Sequence, residues 1–143
     1  MKILVPVKRV PDPDTKIRVK PDGSGIDVDG VKFAVNPFDA IALEEALRIK
    51  EKDGHGGVEV TALTLGSAEC TEQLRTALAM GADRAIRVDV HESLDSLAAA
   101  KILAAVCGRE KPSFVIMGKQ AIDDDSNQAG QMLAGLLGWP QIG

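Results

Sequence analysis

The sequence predicts an α/β fold: a parallel sheet flanked by helices on both faces, with a β-hairpin laid over the surface. Three observations carry this. Strand-like runs alternate with helical ones along nearly the whole chain, the pattern of strands joined by helical crossovers. The runs at residues 2–8 and 114–117 are apolar with little alternation, as expected of strands covered on both faces. Residues 16–29 instead alternate apolar with charged side chains around Pro21, Asp22, Gly23, Ser24 and Gly25, which is hairpin chemistry.

The elements follow in order. Residues 2–8 form the first strand, with Ile3, Leu4, Val5 and Val7 inside, and Pro11 and Pro13 break it. After the hairpin, Asn36 caps a long helix and Pro37 fits its first position. Phe38, Ile41, Ala42, Ala46, Leu47 and Ile49 make the buried stripe, Glu44 and Glu45 face Arg48 at helical spacing, and Gly54, Gly56 and Gly57 end the helix. Residues 58–65 form a second parallel strand. Gly66 and Ser67 turn into a helix with Cys70, Leu74, Ala77 and Leu78 on one face, closed by Gly81. Residues 85–88 are a third strand. Ser93 caps a helix carrying Leu94, Leu97, Ala98, Ile102, Ala105 and Val106, stopped at Gly108. Residues 114–117 are a fourth strand, apolar throughout and therefore expected to be central. Residues 124–137 form the last helix, with Ala129, Met132, Leu133, Leu136 and Leu137 inward.

Size and composition bound the function. A chain of 143 residues suits one domain with its own core. The net charge of -4 argues against a polyanion partner, and 3% aromatic residues are too few for a base-stacking surface. Cys70 and Cys107 lack CxxC spacing and read as packed thiols in a reducing compartment. No apolar stretch is long enough to span a membrane, and the N-terminus has no signal-peptide pattern. A cytoplasmic protein is the expectation. No internal repeat or second domain is evident, so residues 1–143 read as a single domain. The ending at residues 138–143 falls where a fifth strand is expected, and a fragment of a longer chain is the favoured reading.

In open parallel sheets ligands bind beyond the carboxyl ends of the strands. Those ends hold Pro6, Val7 and Lys8, then Thr64, Leu65 and Gly66, then Met117, Gly118 and Lys119. Gly66 and Gly118 allow close backbone approach. The polar loop after Gly118 runs into a helix N-terminus, where free N–H groups with Ser126 and Asn127 suit a phosphate. Asp123, Asp124 and Asp125 oppose an anion unless they point away. They complement the helix dipole, the favoured reading, or else bind Mg²⁺. Lys8 and Arg9 are either ligand or partner contacts or a solvated basic edge. His55 and His91 sit in turn-like stretches and read as solvent-exposed. Cys70 reads as an inert core thiol. The GxSxG, GxxxxGK[ST] and GxGxxG motifs do not occur in a catalytic setting, so no reaction by this chain alone is expected.

The run from Gly118 to Met132 (GKQAIDDDSNQAGQM) resembles the AMP-binding segment of electron-transfer flavoprotein beta subunits. So do VKRVPD at residues 7–12, NPFDAIALEE at 36–45 and RTALAMGAD at 75–83. The resemblance implies an adenine-nucleotide alpha-hydrolase-like, Rossmann-like fold that hydrolyses nothing and holds AMP as a structural ligand. It implies that Pro6 and Leu65 line the adenosine and that Asn36, Pro37, Phe38 and Asp39 form a second contacting stretch, with Phe38 near the flavin edge. Ribose and phosphate would lie against Gly118, Lys119, Gln120, Ala121, Ile122, Asp123, Asp124, Asp125, Ser126, Asn127, Gln128 and Ala129. FAD would be held mainly by the alpha subunit of a heterodimer. That complex takes electrons from primary dehydrogenases, such as acyl-CoA dehydrogenases of fatty acid oxidation, and passes them to a membrane quinone oxidoreductase. Some members of the family hold a second FAD in place of AMP, on a loop reading Asp-Gly-Asp-Thr. Here Asp124 stands at the Gly position, and its side chain favours the smaller AMP. Together with the strand alternation, the resemblance gives an expected sheet order of third, second, first and fourth strand.

Two other readings have discriminating features. A stand-alone, stress-protein-type adenine-nucleotide binder needs a Gly-x-x-Gly phosphate loop after the fourth strand, where Gly118, Lys119, Gln120 and Ala121 stand instead. A pyrophosphatase-type ATP enzyme needs a Ser-Gly-Gly loop after the first strand, where the chain reads Val7, Lys8, Arg9.

Overall fold

The computed structural model describes residues 1–54 and 56–143; the turn assigned to His55 lies outside the described residues. In chain order the elements are β1 (Lys2–Pro6), β2 (Arg9–Pro11), β3 (Arg18–Val19), β4 (Ile26–Asp27), β5 (Phe33–Val35), α1 (Pro37–Asp53), β6 (Glu59–Leu65), α2 (Thr71–Met80), β7 (Arg84–Val88), α3 (Ser96–Glu110), β8 (Phe114–Val115) and α4 (Ala129–Leu137). A short 3-10 turn at Ala68–Cys70 leads into α2.

β7, β6, β1 and β8 lie side by side in that order, all parallel. This is the order expected from the sequence. Pleating sends successive side chains of β1 to opposite faces. Ile3 and Val5 join Val60 and Ala62 against Ala42, Leu43, Ala46 and Leu47 of α1 and Leu74 and Ala77 of α2. Leu4 and Leu63 pack on the other face against Ala100, Leu103 and Cys107 of α3 and Leu133 of α4. The sheet is thus covered on both faces. The β3–β4 hairpin forms a separate antiparallel pair, with Val19 and Val28 exposed.

Several local expectations need correction. The first strand stops at Pro6, because the Lys8 N–H is taken by Asp39 Oδ2 at 2.8 Å. Residues 9–11 then pair antiparallel with β5, a small sheet the sequence reading missed. Residues 114–117 are not central: β8 holds only Phe114 and Val115 and lies at the sheet edge, with Phe114 exposed. The run is apolar because Ile116 packs into one core and Val115 and Met117 into the other. In α1 the buried phase passes through Leu43 and leaves Ile41 exposed. Asn36 makes no side-chain cap bond, since its amide is engaged elsewhere. Leu78 of α2 is exposed, and the buried polar residue on that helix is Gln73.

Helix α3 is capped by Asp95, whose Oδ1 accepts the Ala98 N–H at 2.7 Å, not by Ser93. It runs through Gly108 to Glu110, and Leu97 and Ala105 face solvent. A single glycine in a helix costs only about 1 kcal/mol and does not have to end it. Helix α4 begins at Ala129, five residues later than expected, because Asp125 (φ 50°) and Asn127 (φ 49°) are left-handed. Of its inward positions only Leu133 is fully buried, and Leu136 is exposed.

Candidate functional site

The sheet order reverses between β1 and β8. The chain leaves β1 for α1 on one face and leaves β8 for α4 on the other. Neighbouring strands whose continuations diverge in this way leave a crevice at their carboxyl ends. A cleft of about 600 Å³ opens there, within the usual range for small-molecule sites. Pro6, Val7 and Lys8, Leu65 and Gly66, and Met117 and Gly118 line it from the strand ends. The buried Thr64 hydroxyl donates to the Val7 carbonyl at 2.7 Å and ties two of those ends together.

The loop after β8 is held by the start of α1. Asn36 is fully buried. Its Nδ2 donates to the Gln120 carbonyl at 2.8 Å, and its Oδ1 accepts the Ile122 N–H at 3.2 Å. Asp39, one turn on, is also buried and accepts the N–H of Lys8 and a backbone N–H at Gly118. Burial pushes its carboxyl up to about 6, against the opposing pull of bonds from Lys8, Asn36 and Gly118. The backbone at Gly118 passes so close that a Cβ there would sit 2.7 Å from the Phe38 carbonyl carbon. Glycine is required at this position by close approach.

Lys8 and two of the cleft's carboxylates are paired. Lys8 Nζ lies 2.8 Å from Asp123 Oδ1 and 3.0 Å from Asp124 Oδ2. Burial works against the ammonium, yet hydrogen bonds to both carboxylates outweigh it and hold the Lys8 pKa above its ordinary value. Asp124 is held below the usual carboxylate range, first by the Ser126 N–H. Gln120 Nε2 donates to Asp125 Oδ1 at 2.9 Å. The acidic run therefore binds Lys8 and closes its own turn. It does not occupy the first turn of α4, which contains no acid, so the expected role in complementing that helix dipole is not what these side chains do. Among the described residues no group of three His, Cys, Asp or Glu side chains is arranged to hold a metal. Just beyond, the left-handed residues Asp125 and Asn127 lead to the first-turn amides of α4, which have no intrahelical acceptor. Successive N–H groups in such bent backbone form anion-binding concavities.

The family model for the electron transfer flavoprotein domain matches residues 25–143. This chain belongs to that family. Electron transfer flavoprotein subunit beta of Bradyrhizobium diazoefficiens is 57% identical over 141 residues, covering 99% of this chain and 56% of the relative. The protein of that name from Homo sapiens is 54% identical over 145 residues, covering 99% and 56%. The mitochondrial subunit beta of Arabidopsis thaliana is 55% identical over 141 residues, covering 99% and 55%. The chain thus spans about half the length of the curated relatives it matches.

In this electron transfer flavoprotein domain most of the residues singled out from the sequence meet at the cleft. Pro6, Asn36, Asp39, Leu65, Gly118, Lys119, Gln120, Ala121, Asp123, Asp124, Ser126, Asn127, Gln128 and Ala129 line it. Pro37, Phe38, Ile122 and Asp125 do not; Phe38 and Ile122 are half-buried behind it, and Ile122 reaches Asn36 only through its N–H. Arg9 lines the cleft and is stacked on Phe33 at 3.5 Å, with Glu69 at 3.3 Å. Cys70 lies in the wall, and burial pushes its thiol up, as expected of an inert group. His91 is exposed beside Asp89. The wall formed by Val90, residues 92–96 and Ala99 was missed. The signal for it was present: it follows β7, whose carboxyl end lies in line with those of the other parallel strands.

Proposed function

We propose that this chain is the nucleotide-binding portion of an electron-transfer flavoprotein beta subunit, one AMP-binding α/β domain that catalyses no reaction of its own. The observation that carries the reading is the cleft at the reversal of strand order, bordered by a loop bent left-handed at Asp125 and Asn127 before α4. In this reading adenine lies against Pro6 and Leu65, whose apolar side chains leave the main chain to read its polar edge. The phosphate meets the N–H groups after Asp125, with Ser126, Asn127 and Gln128 as donors. Asn36 and Asp39 support the loop from behind, and Phe38 faces a flavin edge in the assembled complex.

AMP is a structural ligand here, and FAD is held mainly by an alpha subunit. The heterodimer carries electrons from primary dehydrogenases, such as acyl-CoA dehydrogenases, to a membrane quinone oxidoreductase. The names of the relatives, electron transfer flavoprotein subunit beta, support the electron-transfer role. The free, buried thiols Cys70 and Cys107 suit a reducing compartment, and we assign the cytoplasm. Mass spectrometry of the ligand released on denaturing the full-length protein tests the reading. AMP is the expected species; FAD, ATP or no nucleotide would overturn it.

A further inference from the structure

We infer that Lys8 is a positioning residue for the phosphate, one that acts by neutralising Asp123 and Asp124 rather than by touching the ligand. The inference rests on the AMP reading above. Lys8, Asp123, Asp124, Ser126 and Asn127 all line one cleft. Carboxylates beside an anion site repel the anion, less so where solvent reaches them. The Lys8 ammonium bridges the two of them at 2.8 and 3.0 Å. No other cation pairs with either carboxylate among the described residues. Asp125 is turned away, onto Gln120.

Lys8 is not what holds the loop in place. Asn36 fixes Gln120 and Ile122, and Asp39 is bonded at Gly118. The Lys8 backbone N–H, which any replacement retains, supplies the contact to Asp39. The side chain is therefore free to serve as charge alone. It stands two residues beyond β1, where its backbone N–H bonds Asp39 and its carbonyl accepts the Asn36 N–H, so its charge is delivered from a fixed backbone.

The test is calorimetry of AMP and of adenosine on the full-length protein in its native complex, after removal of bound nucleotide. The variants are Lys8→Gln, Lys8→Arg, and Lys8→Gln combined with Asp123→Asn and Asp124→Asn. Lys8→Gln should weaken AMP on the order of tenfold and adenosine by less than about twofold, because adenosine carries no charge to be repelled. Lys8→Arg should keep AMP affinity, and the triple variant should restore it. Equal losses for AMP and adenosine in Lys8→Gln would show a scaffolding role and overturn the inference. A triple variant as weak as Lys8→Gln would mean direct contact with the phosphate and overturn it as well. Wild-type protein that binds neither ligand would refute the nucleotide reading itself and take this inference with it.

Discussion

A carboxyl group buried against backbone N–H groups gives up its proton at a different pH in the folded and unfolded chain, and Asp39 is such a group. Its ordinary value of 3.8 is raised to about 6 by burial. Between those values Asp39 binds more proton in the folded chain than in the unfolded one, so its contribution to stability is greatest below about pH 4 and falls as pH rises through 6. The span corresponds to ~3 kcal/mol. Asp39→Asn should remove that decline. Denaturant unfolding of wild type and variant at pH 4.5 and 7.5 checks it, through the difference between the two proteins at each pH. An identical pH dependence in both would mean that Asp39 ionises freely when folded. Gly118 belongs to the same contact: its missing side chain is what lets the β8 end lie against Phe38 and Asp39.

Among the elements, α3 and α4 depend on their starts in different ways. Asp95 caps α3 with its own side chain. Asp95→Ala should lower stability by ~1 kcal/mol, read as a shift in denaturation midpoint with unchanged slope. The start of α4 has no side-chain cap bond, and in our reading its amides wait for a phosphate. Asn127→Leu removes a donor and adds bulk there, and AMP binding should weaken by about 1–3 kcal/mol. Calorimetry on the full-length complex decides it, and unchanged affinity would move the phosphate elsewhere. The two helices also mark how far local sequence reaches. Alternating strand and helix signals predict the parallel sheet, and with the family resemblance they also predict its order, so β7, β6, β1 and β8 were legible in the sequence. The start of α4 was not, because Ser126 and Asn127 look like ordinary caps. The loop that carries the left-handed Asp125 and Asn127 is held at Gln120 and Ile122 by Asn36, 84 residues upstream of Gln120, a partner that no local pattern reveals. The β2–β5 pair was hidden for a similar reason: three residues carry little periodicity, and the partner strand returns only after the hairpin. The cleft wall at residues 92–96 carries no motif, and only its position after β7 reveals it.

At the scale of the whole molecule, two cores on opposite faces of one sheet support the cleft at the carboxyl ends of its strands. In our reading that cleft holds AMP, and FAD needs a second subunit. The chain expressed alone should therefore carry no stoichiometric flavin, and its visible absorbance spectrum should be featureless after purification. A yellow protein would contradict the assignment of FAD to the alpha subunit. The clamp between Asn36 and Ile122 joins residues 86 positions apart. At a synthesis rate of about 5–20 residues per second, roughly 4–17 s separate the making of its two halves. Throughout that interval Asn36 has no loop to hold. In our reading, the AMP site is therefore incomplete until the loop after β8 has been made, and the strands synthesised before it appear without a finished site for the ligand.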